Sequence, residues 1–138
     1  MKKQVIVLAV SLLLLSVVSV FAQEEKVTGA TSLTKESVVN YLADLKSDNL
    51  GVRVSAAYFA GEYKVESAII PLMKMLNSEQ AEEARIIAAL SLIKIGTGKS
   101  VYAVKQAAKM DDSERVRNLC TKFYNSYAFD KLEASNTL

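Results

Sequence analysis

Histidine and tryptophan are both missing from this 138-residue chain, and cysteine and proline occur once each. Without histidine the chain lacks the commonest general base and the commonest zinc ligand. The single thiol, Cys120, rules out an internal disulfide, so a folded domain must rely on its core. Glycine is scarce as well, with five residues and no Gly-rich phosphate loop. There is no Ser elbow, no Cys/His cluster and no Asp-rich loop with calcium-binding spacing. Nothing alternates apolar and polar residues in the manner of a strand. No catalytic group, cofactor site or metal site is therefore expected.

What is present begins with an export pattern. Met1-Lys2-Lys3 is a short positive start, and Val5 to Leu15 is apolar except for Ser11. Val20 and Ala22 occupy the −3 and −1 positions of a small-residue cleavage site, with Gln23, Glu24 and Glu25 following. That is the layout of a secretory signal peptide, residues 1–22, and implies a periplasmic or secreted, bacterial-type protein. The competing reading is a retained anchor, because the stretch Gln4–Ala22 is close to the roughly 20 residues that span a bilayer. Ser11, Ser16 and Ser19 weigh against it. Cleavage after Ala22 leaves 116 residues and removes Lys2 and Lys3, so 15 basic side chains face 15 acidic ones. A neutral chain has no electrostatic footprint for nucleic acid, and no membrane partner is expected after cleavage.

Residues 23–33 are polar, small and aperiodic, and are expected to be a flexible lead-in. Residues 130–138 are expected to be a disordered tail. Between them, over 34–129, the chain reads as six helices. The first spans about Thr34 to Ser47, with Thr34 as N-cap and Val38, Tyr41, Leu42 and Leu45 on one face. The second spans about Leu50 to Tyr63. The third carries Ile69, Leu72, Met73 and Leu76, with Pro71 in its first turn. The fourth spans about Glu79 to Ile95 and stops at Gly96. The fifth spans about Lys99 to Met110. The sixth opens on Asp111-x-x-Glu114, an acidic relative of the capping box, and runs to about Phe129.

The helices repeat. Val52-Arg53, Ala84-Arg85 and Val116-Arg117 are spaced 32 residues apart, and Ala56-Ala57 returns as Ala88-Ala89. Ile69, Leu72, Met75 and Leu76 return as Val101, Val104, Ala107 and Ala108. A fixed period of this length means stacked helical pairs, each burying its apolar side on its neighbours. The middle second helix is apolar nearly all round and should be covered on several sides. The last confines Val116, Leu119, Cys120, Phe123, Tyr124 and Tyr127 to one stripe, as an end repeat should.

Asp48 to Leu76 resembles the HEAT repeats, most closely the short HEAT-like repeats of phycobilisome-lyase proteins. The matching residues are Val52-Arg53, Ala56-Ala57, Gly61-Glu62-Tyr63 and Ala68-Ile69-Ile70-Pro71-Leu72. The second copy keeps Ala84-Arg85, Ala88-Ala89 and Ile95-Gly96. The third keeps Asp112 and Val116-Arg117, with Cys120-Thr121 in place of the small pair. The resemblance covers about residues 35–128 and implies an all-α fold, a short α-solenoid (αα-superhelix) of three HEAT-like helical pairs. It further implies a protein-protein interaction module or scaffold. The alternative it leaves is an accessory subunit, or a lyase-type enzyme or chaperone handling bilin chromophores.

The candidate binding residues are Arg53, Tyr58, Arg85 and Arg117. The arginines read either as a basic ladder for an acidic partner or as structural groups paired with nearby acids such as Asp48, Glu82, Glu83 and Asp112. Tyr58 and Phe59 are adjacent, so both cannot face one core, and one is expected on the surface. Cys120 recurs with Ala56 and Ala88 and should be buried. The aromatics of the last helix should cap the stack, and could support self-association through the C-terminal helix.

Overall fold

The computed structural model describes residues 33–136. The expected signal peptide and residues 23–32 of the lead-in lie outside the described residues, as do 137 and 138. Leu33 packs against the core.

The described residues form six α-helices and one 3-10 turn, with no strand among them. Helix α1 is Lys35–Asp44, α2 Leu50–Glu62, α3 Ile69–Ser78, α4 Glu82–Ile95, α5 Gly98–Met110 and α6 Glu114–Asn136. They make three pairs, α1/α2, α3/α4 and α5/α6. The second helices α2, α4 and α6 lie side by side in that order, and each pair packs on the next. This is a short all-α solenoid.

Local chemistry fixes the helix ends. Thr34 caps α1, its Oγ1 accepting from the Ser37 amide at 3.1 Å. Asn49 caps α2, accepting from the amides of Gly51 at 2.8 Å and Val52 at 3.3 Å. Thr97 caps α5 through the Ser100 amide at 3.3 Å. Each satisfies amides that a helix start leaves without partners. Pro71 is the third residue of α3, where its missing N–H breaks no helix bond. Gly96 ends α4 at φ 72°, a left-handed geometry that glycine adopts without a Cβ clash.

Four expected boundaries move, the first being the end of α1, at Asp44 rather than about Ser47. Helix α4 starts at Glu82 rather than Glu79, because the Glu79 side chain is held elsewhere, by Arg53. Helix α6 is capped by Ser113, whose Oγ accepts from the Val116 amide at 3.3 Å; Asp111 instead accepts from the Ser113 amide at 2.9 Å. Helix α6 also continues to Asn136, through residues expected to be a disordered tail. Asp130-Lys131-Leu132-Glu133-Ala134 contains no glycine or proline and several strong helix formers, so a helix already running has no reason to stop there.

The core threads through all three pairs. Leu72, Leu76, Leu92, Val104, Val116 and Cys120 are its largest fully buried side chains. Burying an aliphatic side chain of this size contributes about 1.5–3 kcal/mol before entropy is counted. Ala56, Ala57, Ala84, Ala88 and Ala89 are buried as well, and their small size lets the second helices come close. One close approach is Gly61 on α2 against Ser91 on α4: a Cβ at Gly61 would lie 2.6 Å from the Ser91 Cα.

Candidate protein-binding face

The three repeated arginines share one geometry. Arg53 Nη1 donates to the carbonyls of Ser47 at 2.8 Å and Asp48 at 3.0 Å. Its Nε and Nη2 grip the Glu79 carboxylate at 2.6 and 2.9 Å. Arg85 repeats this, with Nη1 on the carbonyls of Glu79 at 2.8 Å and Gln80 at 3.1 Å. Its Nε and Nη2 each lie 3.0 Å from a carboxylate oxygen of Asp111. Arg117 Nη1 donates to the carbonyls of Asp111 at 2.6 Å and Asp112 at 3.0 Å. No carboxylate among the described residues takes its other two nitrogens.

Each arginine thus ties down carbonyls left over after the preceding helix, and the first two clamp an acid of the following pair. Bidentate, charge-assisted contacts of this kind hold geometry as well as energy. The hydrogen bond from Arg53 holds the Glu79 carboxyl below its ordinary range, against the opposing effect of burial. Arg53 and Arg85 are therefore internal struts rather than a ladder presented to a partner. The acids also differ from those expected: Asp48 and Asp112 contribute backbone carbonyls, while Glu82 and Glu83 turn to Arg115.

The surface that remains open on the second helices is a different stripe. Gly51, Tyr58 and Glu62 lie at i, i+7 and i+11, which is one helix face. The equivalent positions are Glu83, Leu90 and Lys94 on α4, and Arg115, Lys122 and Ser126 on α6. Lys94 pairs with Glu62, and its Nζ sits 5.2 Å from the Tyr58 ring centroid, a cation–π distance. Arg115 Nη1 reaches Glu83 at 2.6 Å and Glu82 at 3.5 Å. Hydrogen bonds from Lys94 and Arg115 hold the carboxyls of Glu62 and Glu83 below their ordinary range. The charges on the stripe are largely committed to one another across the pairs. Tyr58 is half exposed and Leu90 partly so, and they form its uncharged centre.

Sequence reasoning expected one of Tyr58 and Phe59 on the surface, and both are exposed. It missed Glu62, Lys94 and Arg115, although Glu62–Lys94 and Glu83–Arg115 are both separated by the same 32 residues as the repeat. Phe59 is as exposed as Tyr58, because among the described residues no earlier helical pair packs on α2. Cys120 is fully buried, and desolvation, helped by the charge of Asp111, pushes its thiol up to about 11. On α6, Phe123, Tyr124 and Tyr127 are partly buried and Phe129 is exposed. The Tyr127 hydroxyl donates to the Gly96 carbonyl at 3.1 Å, fastening α6 to the end of α4.

Among the described residues no helix is long and apolar enough to cross a membrane, and no three His, Cys, Asp or Glu side chains gather as a metal site. No curated protein matches the chain. The profile of HEAT repeats does match, over residues 36–122, which takes in most of all three helical pairs. With the paired helices, the 32-residue register and the repeated arginine, this chain belongs to the HEAT-repeat family.

Proposed function

We propose that this protein is an exported binding module whose partner is another protein, contacted through the Tyr58–Leu90 stripe. HEAT repeats commonly mediate protein–protein interaction. The observation that carries the reading is the division of labour on the second helices. Arg53 and Arg85 are consumed inside the stack, and the charges flanking Tyr58 and Leu90 pair with one another. What is left is an uncharged, partly aromatic centre bordered by polar groups, the anatomy of a recognition patch. The mechanism is complementarity on a preformed surface, with no chemistry of its own and no cofactor. Burial and a raised thiol pKa argue that Cys120 is inert, which weakens the lyase-type alternative within the short HEAT-like repeats. The export reading rests on residues 1–22, with cleavage after Ala22 into a periplasmic or secreted form.

A photo-crosslinking residue placed at position 58 or 90, in cells carrying the protein, tests the surface. Adducts to one defined protein at both positions are expected, with none from position 70 on the first helices. Adducts from 70 but not from 58 and 90 would move the site elsewhere. The intact mass of the processed protein tests export: a chain beginning at Gln23 is expected, and one retaining Met1 refutes cleavage.

A further inference from the structure

The two ends of the stack are chemically unlike. Ser91 of α4 lies against Gly61 of the preceding second helix, and Tyr127 of α6 lies against Gly96 of the preceding pair. Those positions therefore look back along the stack. Their equivalents in the first pair are Phe59 and Tyr63. Ser91 and Ile95 are 2% and 9% exposed, whereas Phe59 and Tyr63 are 42% and 39% exposed. Tyr41 stacks on both, with ring centroids 6.1 and 6.0 Å away, and Val52 extends the patch. The positions that look forward behave in the opposite way. Gly61 and Ile93 are followed in the last pair by Asn125, and Ala57 and Ala89 by Thr121, both exposed and polar. A terminal repeat of a solenoid needs a polar outer face. Among the described residues the last pair has one and the first does not.

We infer that the first pair's outer face, built on Tyr41, Val52, Phe59 and Tyr63, binds the same face of a second copy of this chain. Three features select that occupant. The groove on this face is lined by Tyr41, Val52, Ser55 and Phe59, with Asp44 as its one charged member. A two-fold contact sets the same patch of both copies face to face, so an almost uncharged face meets its copy with little repulsion, while a highly charged partner finds only Asp44 to pair with. The polar end at Thr121 and Asn125 offers no apolar counterpart, so copies do not add head to tail and association closes at two. A patch confined to a few side chains of one helical pair points to a reversible dimer with Kd on the order of 10 μM. The exposed Phe129 and Leu132 on α6 are the rival surface for self-association, but their neighbours are charged or polar.

Single cysteines introduced into the full chain test this, with buried Cys120 silent as a background thiol. Ser55→Cys treated with a short bis-maleimide is expected to give a covalent dimer at concentrations bracketing about 10 μM. Asn125→Cys and Leu132→Cys are expected to stay monomeric. In sedimentation equilibrium, Phe59→Glu should weaken dimerisation by about 10-fold or more, as loss of an interface anchor does. A monomeric Ser55→Cys, or a dimer from Asn125→Cys or Leu132→Cys in its place, overturns the inference. Should Phe59→Glu fail to fold, the cross-linking comparison decides alone.

Discussion

Arg85 and Arg117 occupy equivalent positions, yet they should differ in what they contribute to stability. Arg85 donates four hydrogen bonds, two to carbonyls and two to Asp111. Its side chain and that of Asp111 are 13% and 8% exposed, so the pair is largely desolvated. Arg85→Ala removes all four bonds and leaves Asp111 without its cation, though Asp111 keeps the Ser113 amide. Breaking one side of a buried pair costs about 3–5 kcal/mol. The residual exposure and the Ser113 contact lower that to about 3 kcal/mol. Arg117→Ala removes two hydrogen bonds to carbonyls and orphans no acid, which amounts to about 1 kcal/mol. In a domain of this size the corresponding drops in Tm are about 15 °C and about 5 °C. Thermal melts followed by circular dichroism distinguish them. A double-mutant cycle with Asp111→Asn should assign most of the difference to the Arg85–Asp111 pair. Equal losses at the two arginines would refute the strut assignment. So would an Arg85 variant of native stability.

Three other outcomes follow from the same geometry. Gly61→Ala should destabilise by about 1–3 kcal/mol in denaturant melts, and Ser91→Gly should rescue it only partly, because the nearest atom to the new Cβ is the Ser91 Cα, which no side-chain change removes. Cys120 should resist alkylation of the native protein at neutral pH and react only as fast as the chain unfolds, since it is buried and its thiol titrates near 11; rapid native labelling contradicts the packing. Glu62, Glu79 and Glu83 have folded pKa values below their unfolded ones, so their contribution is complete above about 4.5 and disappears as pH falls through the lower folded values. Melts from pH 7 down to pH 3 should show Tm holding to about pH 5 and then falling, and a Glu79→Gln chain should lose less over the acid range.

The fold was legible because the features that build it are small and local. Helix faces recur at i, i+3, i+4 and i+7, and close packing of the second helices demands alanine at fixed positions, so Ala56-Ala57 and Ala88-Ala89 announce the period directly. The strut partners were hidden for a different reason. Arg53 reaches Glu79, and Arg85 reaches Asp111, 26 residues further along and across a hairpin. The acid is Glu in one copy and Asp in the next, while Ser47 holds the equivalent place in the first pair. A search for acids near each arginine in sequence finds Asp48 and Asp112 instead, whose carbonyls rather than carboxylates are used. Glu79 likewise looked like the first turn of a helix because acids favour that position, and only the three-dimensional contact shows its side chain turned the other way. The continuation of α6 to Asn136 was missed because polarity was read as disorder, although helix propensity there is high.

The struts also give the stack a direction. Each arginine belongs to one pair and its acid to the pair after it, so the contact always runs forward. At the leading end this asks for nothing: Ser47 stands where an acid would otherwise wait for an earlier arginine, and no buried charge is stranded. At the trailing end it leaves Arg117 with two donors facing solvent, beside the polar Asn118, Thr121 and Asn125 of an outer face that water can satisfy. The missing acid therefore closes the leading end against a further repeat of this kind, while at the trailing end it is the polar outer face that is closed to apolar contact. The exposed rings of Phe59 and Tyr63, stacked on Tyr41 at the edge of the core, form an aromatic group that the strut pattern does not account for. A repeat that discards its acid but keeps its aromatic residues has lost the means of stacking another HEAT pair while retaining the means of joining something else.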